Sequence, residues 1–201
     1  MNQPKDFLKI GITGGIGSGK TTVSRIIEEL GYPVFYSDIE AKALMTSNAK
    51  VIAAVKKLFG EEAYAHGNLN RTHLARVVFD NPSLLKSLNA VIHPEVRLEF
   101  ESFCERNKAK KLLFNEAAIL FETGAYKTFD FNVLVTADAN LRIQRVIHRD
   151  NVSKNEVLSR MKNQWSDELK RPLADFIIFN NQEELMPQIQ DVIESLMKKL
   201  T

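Results

Sequence analysis

The sequence predicts an α/β fold in which a doubly wound parallel sheet of five strands carries two helical excursions. Short, nearly continuous apolar runs alternate with segments whose apolar residues recur at helical spacing, which is typical of a parallel sheet covered on both faces. The chain has 201 residues, enough for one domain with insertions and a substantial core. The runs that we interpret as strands are residues 7–12, 33–36, 112–114, 131–135 and 176–179.

Composition excludes several classes of protein. Hydrophobic residues make up 44% and charged residues 26% of the chain, as in ordinary soluble domains, and the net charge of +2 is too small to favour nucleic acid or a membrane surface. The one cysteine, Cys104, excludes an intramolecular disulfide and fits a reducing compartment. No apolar run approaches the roughly 20 residues that span a bilayer. We expect a cytoplasmic protein, a monomer or weak homo-oligomer, that binds neither nucleic acid nor membranes.

The first two strands are joined by a helix. The apolar residues between positions 23 and 30 share one helical face, and Gly31 followed by Pro33 ends that helix. A strand, a helix and a second strand in this order form a βαβ unit, which gives the sheet its parallel pairing.

The stretch 39–108 carries no strand signal. One apolar stripe in it ends at Gly60, and another begins at Pro82 and closes before Pro94, so that His93 falls between two helices. We interpret residues 39–108 as a helical insertion between two core strands.

A second helical excursion lies between the fourth and fifth strands. Within it Ser153 and Glu156 match the capping-box pattern that starts a new helix. A last helix follows the fifth strand, with its apolar residues on one face. We therefore divide the single domain into a core (1–38, 109–138 and 172–201), the insertion 39–108, and a lid segment, residues 139–171.

The strongest functional signal is a phosphate loop, the pattern G-x-x-x-x-G-K-[ST], between the first strand and the first helix. Its glycines allow successive N–H groups to surround a phosphate, and the helix N-terminus adds partial positive charge. Lys20 is expected to reach the β- and γ-phosphates of ATP, and the Thr21 hydroxyl to ligate Mg²⁺. This predicts a P-loop NTPase-type core. The residues expected to contact the nucleotide are Gly14, Gly15, Ile16, Gly17, Ser18, Gly19, Lys20, Thr21 and Thr22.

Other proteins with this loop fit the sequence less well. A guanine-nucleotide switch needs a D-x-x-G turn, which is absent, and residues 107–110 begin its base-reading motif but end in Lys110 instead of a carboxylate. The small size and the two helical excursions favour a small-molecule kinase. A kinase for another acceptor, or a nucleotide-binding regulator without turnover, remains an alternative that an ADP-release assay distinguishes.

Two carboxylates follow core strands, where a parallel sheet faces its ligand. Asp38 comes directly after the second strand and is the candidate general base for an acceptor hydroxyl, although it could also cap the following helix. Glu116 ends the third strand and is expected to hold Mg²⁺ or to contact the substrate, the alternative being a structural hydrogen bond.

Arginines are concentrated in the lid segment. Arg142, Arg145 and Arg149 share one helical face, and Arg160 follows on the next helix. Such a group can neutralise a transferring phosphoryl group and exclude water when it closes. The alternative is a solvated face paired with acidic neighbours such as Asp150.

The ordered motifs of the chain resemble those of the dephospho-coenzyme A kinase family over nearly its whole length. They are the phosphate loop; D-A-D, present as Tyr36-Ser37-Asp38; L-x-x-x-x-H-P, ending at His93-Pro94; D-x-P-L-L-F-E, with Glu116 for Asp and Ala118 for Pro; Q-x-x-R-x-x-x-R-D, from Arg142 to Asp150; R-x-x-x-Q, at Arg160 and Gln164; and A-D-x-x-I-x-N, ending at Asn180.

The resemblance implies transfer of the ATP γ-phosphate to the ribose 3′-hydroxyl of dephospho-coenzyme A, with Mg²⁺. It implies that Asp38 is the catalytic base, that Arg145 acts on the transferring group together with Lys20, and that Asn180 belongs to the nucleotide site. The insertion is then expected to help hold the acceptor. The residues assigned to the acceptor are Asp38, His93, Glu116, Arg149 and Arg160.

Overall fold

The computed structural model describes residues 6–65, 67–79 and 81–200. Their strands are β1 (Leu8–Thr13), β2 (Val34–Tyr36), β3 (Tyr64–Ala65), β4 (Asn68–Leu69), β5 (Leu112–Glu116), β6 (Phe131–Thr136) and β7 (Phe176–Phe179). Their α-helices are α1 (Lys20–Glu29), α2 (Ser37–Ser47), α3 (Ala49–Phe59), α4 (Arg71–Phe79), α5 (Pro82–Arg106), α6 (Ala139–Asp150), α7 (Lys154–Lys162), α8 (Asp167–Lys170) and α9 (Leu185–Met197). The chain divides into a core unit, which runs up to Tyr36 and resumes at Arg106, and an insertion unit, Ser37–Glu105.

A parallel sheet of five strands, in the order β2-β5-β1-β6-β7, forms the centre of the core unit. The central strand β1 contributes Ile10 and Ile12, both without exposed surface, to an apolar cluster that α1 and α9 complete. Burial of each such side chain contributes about 1.5–3 kcal/mol. The predicted fold is confirmed, and β5 ends at Glu116, as predicted for the third core strand.

The insertion unit is helical, but the prediction that it contains no strand is wrong. Strands β3 and β4 form a short antiparallel hairpin in which Tyr64 faces Leu69. Gly67 in the turn has φ 80°, a left-handed conformation that glycine adopts without strain. Strands of two residues are too short to show alternation of apolar and polar side chains, so periodicity could not reveal them.

Helix α5 continues through Pro94, although we predicted that it would close before this residue. Proline removes one hydrogen bond from the helix and crowds the preceding turn, which usually ends or kinks a helix. Here Ile92 and Val96, on either side of Pro94, pack in the same apolar cluster of the insertion unit. Burial on both sides keeps the helix in one piece, and His93 therefore lies inside α5 and not between two helices.

The lid segment contains α6, α7 and α8. The predicted capping box is present, since the Ser153 hydroxyl accepts from the Glu156 N–H and the Glu156 carboxylate accepts from the Ser153 N–H. A buried ion pair connects the end of this segment with the loop after β5. The ammonium of Lys170, a residue with 0% exposed surface, lies 2.9 Å from the Glu122 carboxylate, which also accepts the Trp165 N–H.

Across the described ranges, no helix combines the length and the apolar character that crossing a membrane would require.

Candidate active site

The phosphate loop lies between the carboxyl end of β1 and the start of α1, in the core unit. Gly17 and Gly19 have φ 78° and 92°, left-handed values that disfavour any residue with a Cβ. A Cβ at Gly14 would come within 2.2 Å of the Val135 carbonyl oxygen in β6. The loop therefore needs its glycines both for its curvature and for its close approach to the sheet.

Some loop N–H groups are engaged within the protein and others are not. Ser18 donates to the Gly15 carbonyl at 3.1 Å, and Ile16 donates to the Gln164 side chain at 2.8 Å. Among the described residues, the N–H groups of Gly17 and Gly19 have no acceptor. These groups, next to the N-terminus of α1, are the donors that an anion such as a phosphate would use.

Lys20 and Thr21 begin α1 and bring the two functional groups of the loop together. Lys20 is buried, and its ammonium donates to the Gly14 carbonyl at 2.8 Å. The Thr21 hydroxyl donates to the Glu116 carboxylate at 3.4 Å. The exposed Thr22 follows in the same turn, where its N–H donates to the Gly19 carbonyl.

Glu116 is buried at the end of β5, so that its carboxylate and the Thr21 hydroxyl form a pair of oxygen donors. Oxygen donors of this kind suit Mg²⁺, which usually keeps several waters and takes one or two protein ligands besides phosphate oxygens. Within residues 6–65, 67–79 and 81–200, His, Cys, Asp and Glu form no group of three that could bind a metal by themselves. The Thr21 and Glu116 oxygens match the ligand type that Mg²⁺ prefers.

Tyr36 stands where the family motif has an aspartate, and the structure gives it a different chemistry. Its phenol donates to the Glu28 carboxylate at 2.6 Å, and in the sheet Tyr36 is paired with Glu116. Burial first, and then the hydrogen bond and charge of Glu28 and the charge of Glu116, raise the pKa of the phenol above its usual value. Tyr36 is thus a neutral donor and not a second anion beside Glu116.

Asn180 and Arg145 approach the phosphate loop from β7 and α6. The Asn180 amide donates to the Ser18 carbonyl at 2.9 Å, and its side-chain oxygen accepts from Arg145 at 3.4 Å. A Cβ at Gly19 would lie 1.9 Å from the Asn180 nitrogen, so the amide rests directly on the loop. The buried Nη1 of Arg145 has no hydrogen-bond partner among the described residues. The structure therefore brings both residues to the loop.

The other lid arginines do not form one common face toward the loop. Arg149 and Arg160 both donate to Asp150, at 2.7 Å and 2.8 Å, and are exposed. The hydrogen bond from Arg149 is the largest of the causes that lower the pKa of Asp150. This is the pairing with an acidic neighbour that the sequence left open. Arg142, in contrast, is 7% exposed and contacts the phosphate loop itself.

Sequence reasoning missed Arg142 and Gln164 as loop contacts. Arg142 donates to the Ile16 carbonyl at 3.0 Å and lies 3.4 Å from Asp167, while Gln164 accepts the Ile16 N–H. Both residues belong to the ordered motifs of the sequence, but a motif position does not reveal which residues a side chain contacts.

A cleft of about 890 Å³ lies beside these residues, among β6, α6, α7 and α8. Arg142, Gln164 and Asp167 line it, whereas Lys20 and Glu116 do not.

The insertion unit holds the remaining two candidates. Asp38 is exposed in the first turn of α2, and its carboxylate accepts no hydrogen bond from the described residues, so the role of helix cap is not observed. His93 is half-buried in α5. Burial first, and then the charge of Arg97, lower the pKa of His93, whereas the nearby charge of Asp38 acts in the opposite direction.

Comparison with known proteins adds to this description. A family model described as dephospho-CoA kinase matches residues 8–185. The dephospho-CoA kinase of Salinibacter ruber is 45% identical over 175 residues, which cover 86% of this chain and 88% of that protein. The structure of dephospho-CoA kinase from Campylobacter jejuni is 26% identical with a TM-score of 0.70, over 98% of this chain and 100% of that one. The structure of TT1252 from Thermus thermophilus is 36% identical with a TM-score of 0.84, over 97% and 98% of the two chains.

Proposed function

The chain belongs to the dephospho-CoA kinase family, and from this premise we propose how its residues carry out the ATP-dependent phosphorylation of dephospho-CoA, the last step of coenzyme A biosynthesis. The acceptor is the ribose 3′-hydroxyl, and the products are coenzyme A and ADP. The observation that carries the proposal is the phosphate loop, whose Lys20 and Thr21 lie at the start of α1, with Glu116 3.4 Å from the Thr21 hydroxyl.

ATP binds with its phosphates in the loop. The N–H groups of Gly17 and Gly19 and the N-terminus of α1 supply donors, and Lys20 moves from the Gly14 carbonyl to the β- and γ-phosphates. Asn180 supports the far side of the loop through its contact with Ser18.

Mg²⁺ accompanies ATP and supplies positive charge that neutralises the phosphate oxygens during transfer. Thr21 would ligate it, with Glu116 as the neighbouring carboxylate, directly or through water. The support is the oxygen donor pair itself, which matches the preference of this ion.

Asp38 takes the proton from the acceptor hydroxyl. Its exposed carboxylate has no competing hydrogen bond in the described chain, and it follows β2 by two residues. His93, which interacts with Asp38 electrostatically, and the rest of the insertion unit hold the acceptor.

The lid segment contributes positive charge. Arg145 neutralises the transferring phosphoryl group through its unpartnered Nη1, and Arg149 and Arg160 exchange their bonds with Asp150 for contacts to the acceptor. This implies that the segment rearranges when both substrates are bound.

The division into core, insertion 39–108 and lid segment 139–171 fits these roles, and the separate unit Ser37–Glu105 supports it. We place the reaction in the cytoplasm, where ATP is available, and expect a monomer or weak homo-oligomer without nucleic-acid or membrane partners. The net charge of +2 supports the last expectation.

The test is ADP release from ATP and Mg²⁺ with a matched pair of acceptors, dephospho-CoA and coenzyme A. The second differs by the 3′-phosphate that blocks the hydroxyl, so only the first should support turnover, with a product heavier by one phosphate in mass spectrometry. Equal ADP release with both compounds, or with adenosine, would contradict the assignment.

A further inference from the structure

Ile16, at the tip of the phosphate loop, is held on three sides by the lid segment. Its N–H donates to Gln164 at 2.8 Å, and its carbonyl accepts from Arg142 Nε at 3.0 Å. Its side chain packs on a small apolar cluster of Ile143, Val146 and Val157, from α6 and α7. Both polar groups of this residue are therefore occupied by one segment that lies more than a hundred residues away in the chain.

Arg142 is fixed in turn by an acidic residue. Its Nη1 lies 3.4 Å from Asp167, and the two side chains are only 9% and 12% exposed. The second oxygen of Asp167 accepts from the Thr136 hydroxyl at the end of β6. The sheet, Asp167, Arg142 and the loop thus form one connected set of contacts.

The fit between Arg142 and the loop is close. A Cβ at Gly15 would lie 1.9 Å from Arg142 Nη2, and a Cβ at Gly17 would lie 2.5 Å from the Arg142 carbonyl. The Arg142 side chain therefore packs directly against the loop backbone around Ile16. The N–H groups of Gly17 and Gly19 are not engaged in this way, and they stay available to an anion.

We propose that Arg142, Gln164 and Asp167 are positioning residues, which hold the Ile16 peptide and keep the phosphate loop in its nucleotide-binding shape before ATP arrives. The Ile16 peptide cannot rotate without breaking its bonds to Arg142 and Gln164, and this restricts the curvature that the next glycines adopt. Preorganisation of this kind lowers the ordering cost of binding, so its loss weakens nucleotide affinity.

The proposal rests on the assigned function for the identity of the nucleotide, but its test needs no acceptor. Affinity for ATP and for ADP is measured by calorimetry on the full chain without dephospho-CoA, for Arg142→Ala, Gln164→Leu and Asp167→Asn. We expect the dissociation constant for ATP to rise about tenfold in the first two variants, which corresponds to about 1.4 kcal/mol. In Asp167→Asn we expect a smaller rise, because Arg142 keeps its bond to Ile16.

The matched control is Gln144→Ala, an exposed position on the same helix α6, which should bind ATP as the wild type does. Arg142→Lys keeps the charge without the planar fork and should restore only part of the affinity. Steady-state kinetics should show a raised KM for ATP, with kcat at saturating ATP and KM for dephospho-CoA close to wild type. Circular dichroism establishes that each variant is folded.

An unchanged dissociation constant in folded Gln164→Leu and Arg142→Ala would overturn the proposal. So would a loss of kcat at saturating ATP with unchanged affinity, which would place Arg142 on the reacting phosphoryl group. Failure of the wild type to phosphorylate dephospho-CoA would instead contradict the assigned acceptor and leave the binding comparison valid.

Discussion

Lys20 and Asp38 have opposite environments, and a single role is proposed for each. Lys20 is buried in the phosphate loop, whereas Asp38 is exposed at the start of α2 without a hydrogen-bonded partner among the described residues. Replacing a residue that binds the phosphates both in the ATP complex and in the transition state should lower nucleotide affinity and turnover together. Replacing a general base should lower mainly turnover. Substitution of each residue in turn separates these cases.

Lys20→Ala should lower kcat/KM by well over tenfold, because the positive charge on the β- and γ-phosphates is lost. Tenfold corresponds to about 1.4 kcal/mol of transition-state stabilisation. Initial rates of ADP release measure the effect, and the exposed Lys199→Ala serves as the control. Retention of more than about a tenth of the activity would be incompatible with the proposed phosphate contact.

Asp38→Asn should lower kcat far more than it raises KM for dephospho-CoA, since the amide keeps the shape but cannot accept a proton. Glu40→Gln, in the same helical turn, removes the same charge and should leave kcat near the wild-type value. If kcat of Asp38→Asn is unchanged, the base is another group.

His93 should make the insertion unit sensitive to acid. Its pKa is lowered in the folded state, so below the ordinary value of about 6.5 the unfolded chain takes up a proton that the folded chain does not. The free energy of unfolding should therefore fall as the pH drops from 7.5 to 5.5. Urea denaturation at both pH values should show a smaller fall for His93→Gln. An equal fall in both proteins would mean that His93 is not the group involved.

Helix α7 depends on its capping box. Ser153→Ala removes the acceptor for the Glu156 N–H and should destabilise the protein by about 1 kcal/mol. Ser159→Ala, exposed in the interior of the same helix, should be neutral or slightly stabilising, because alanine is the better helix former. Urea unfolding of both variants measures the difference, and equal stability would show that the cap contributes nothing.

Helices and strands were predictable where local chemistry determines them. Turn and capping preferences predicted that helices end near Gly31 and Gly60 and that one begins at the Ser153 cap. The structure shows all three boundaries. Pro94 was misleading because the local rule was overridden by burial of Ile92 and Val96 around it. Tertiary packing likewise determines the contacts of Arg142. Helical spacing predicted the face of α6 on which it lies, but not that this face meets the phosphate loop.

The full chain offers one test of lid closure. The lid segment is tied at Arg142 to the phosphate loop and at Lys170 to Glu122, so rearrangement should be concentrated between these ties, in residues 150–162. Hydrogen exchange with and without a bound bisubstrate analogue should show added protection there and little change in residues 139–145. Equal protection throughout would mean that Arg149 and Arg160 remain a solvated pair with Asp150.

The sequence predicted one parallel sheet, but neither its strand order nor the contacts that hold the two ends of the lid segment. Thr21 and Glu116 were both candidates for Mg²⁺, since Thr21 belongs to the phosphate loop after the first strand and Glu116 ends the third, and their strands pair in the sheet. Glu122 and Lys170 could not, since no spacing rule connects positions so far apart in the chain. A contact between distant segments can be predicted from the sequence only when the two residues belong to elements, such as paired strands, whose arrangement is itself predictable.

The ion pair between Glu122 and Lys170 also constrains how this sequence can change over generations. Removing one partner leaves a buried charge uncompensated, at a cost of about 3–5 kcal/mol, whereas replacing both by apolar residues is often neutral. Because whole domains are stable by only about 5–15 kcal/mol, either single replacement would be strongly selected against. Substitutions at the two positions should therefore occur together, so that Glu122 and Lys170 co-vary in evolution.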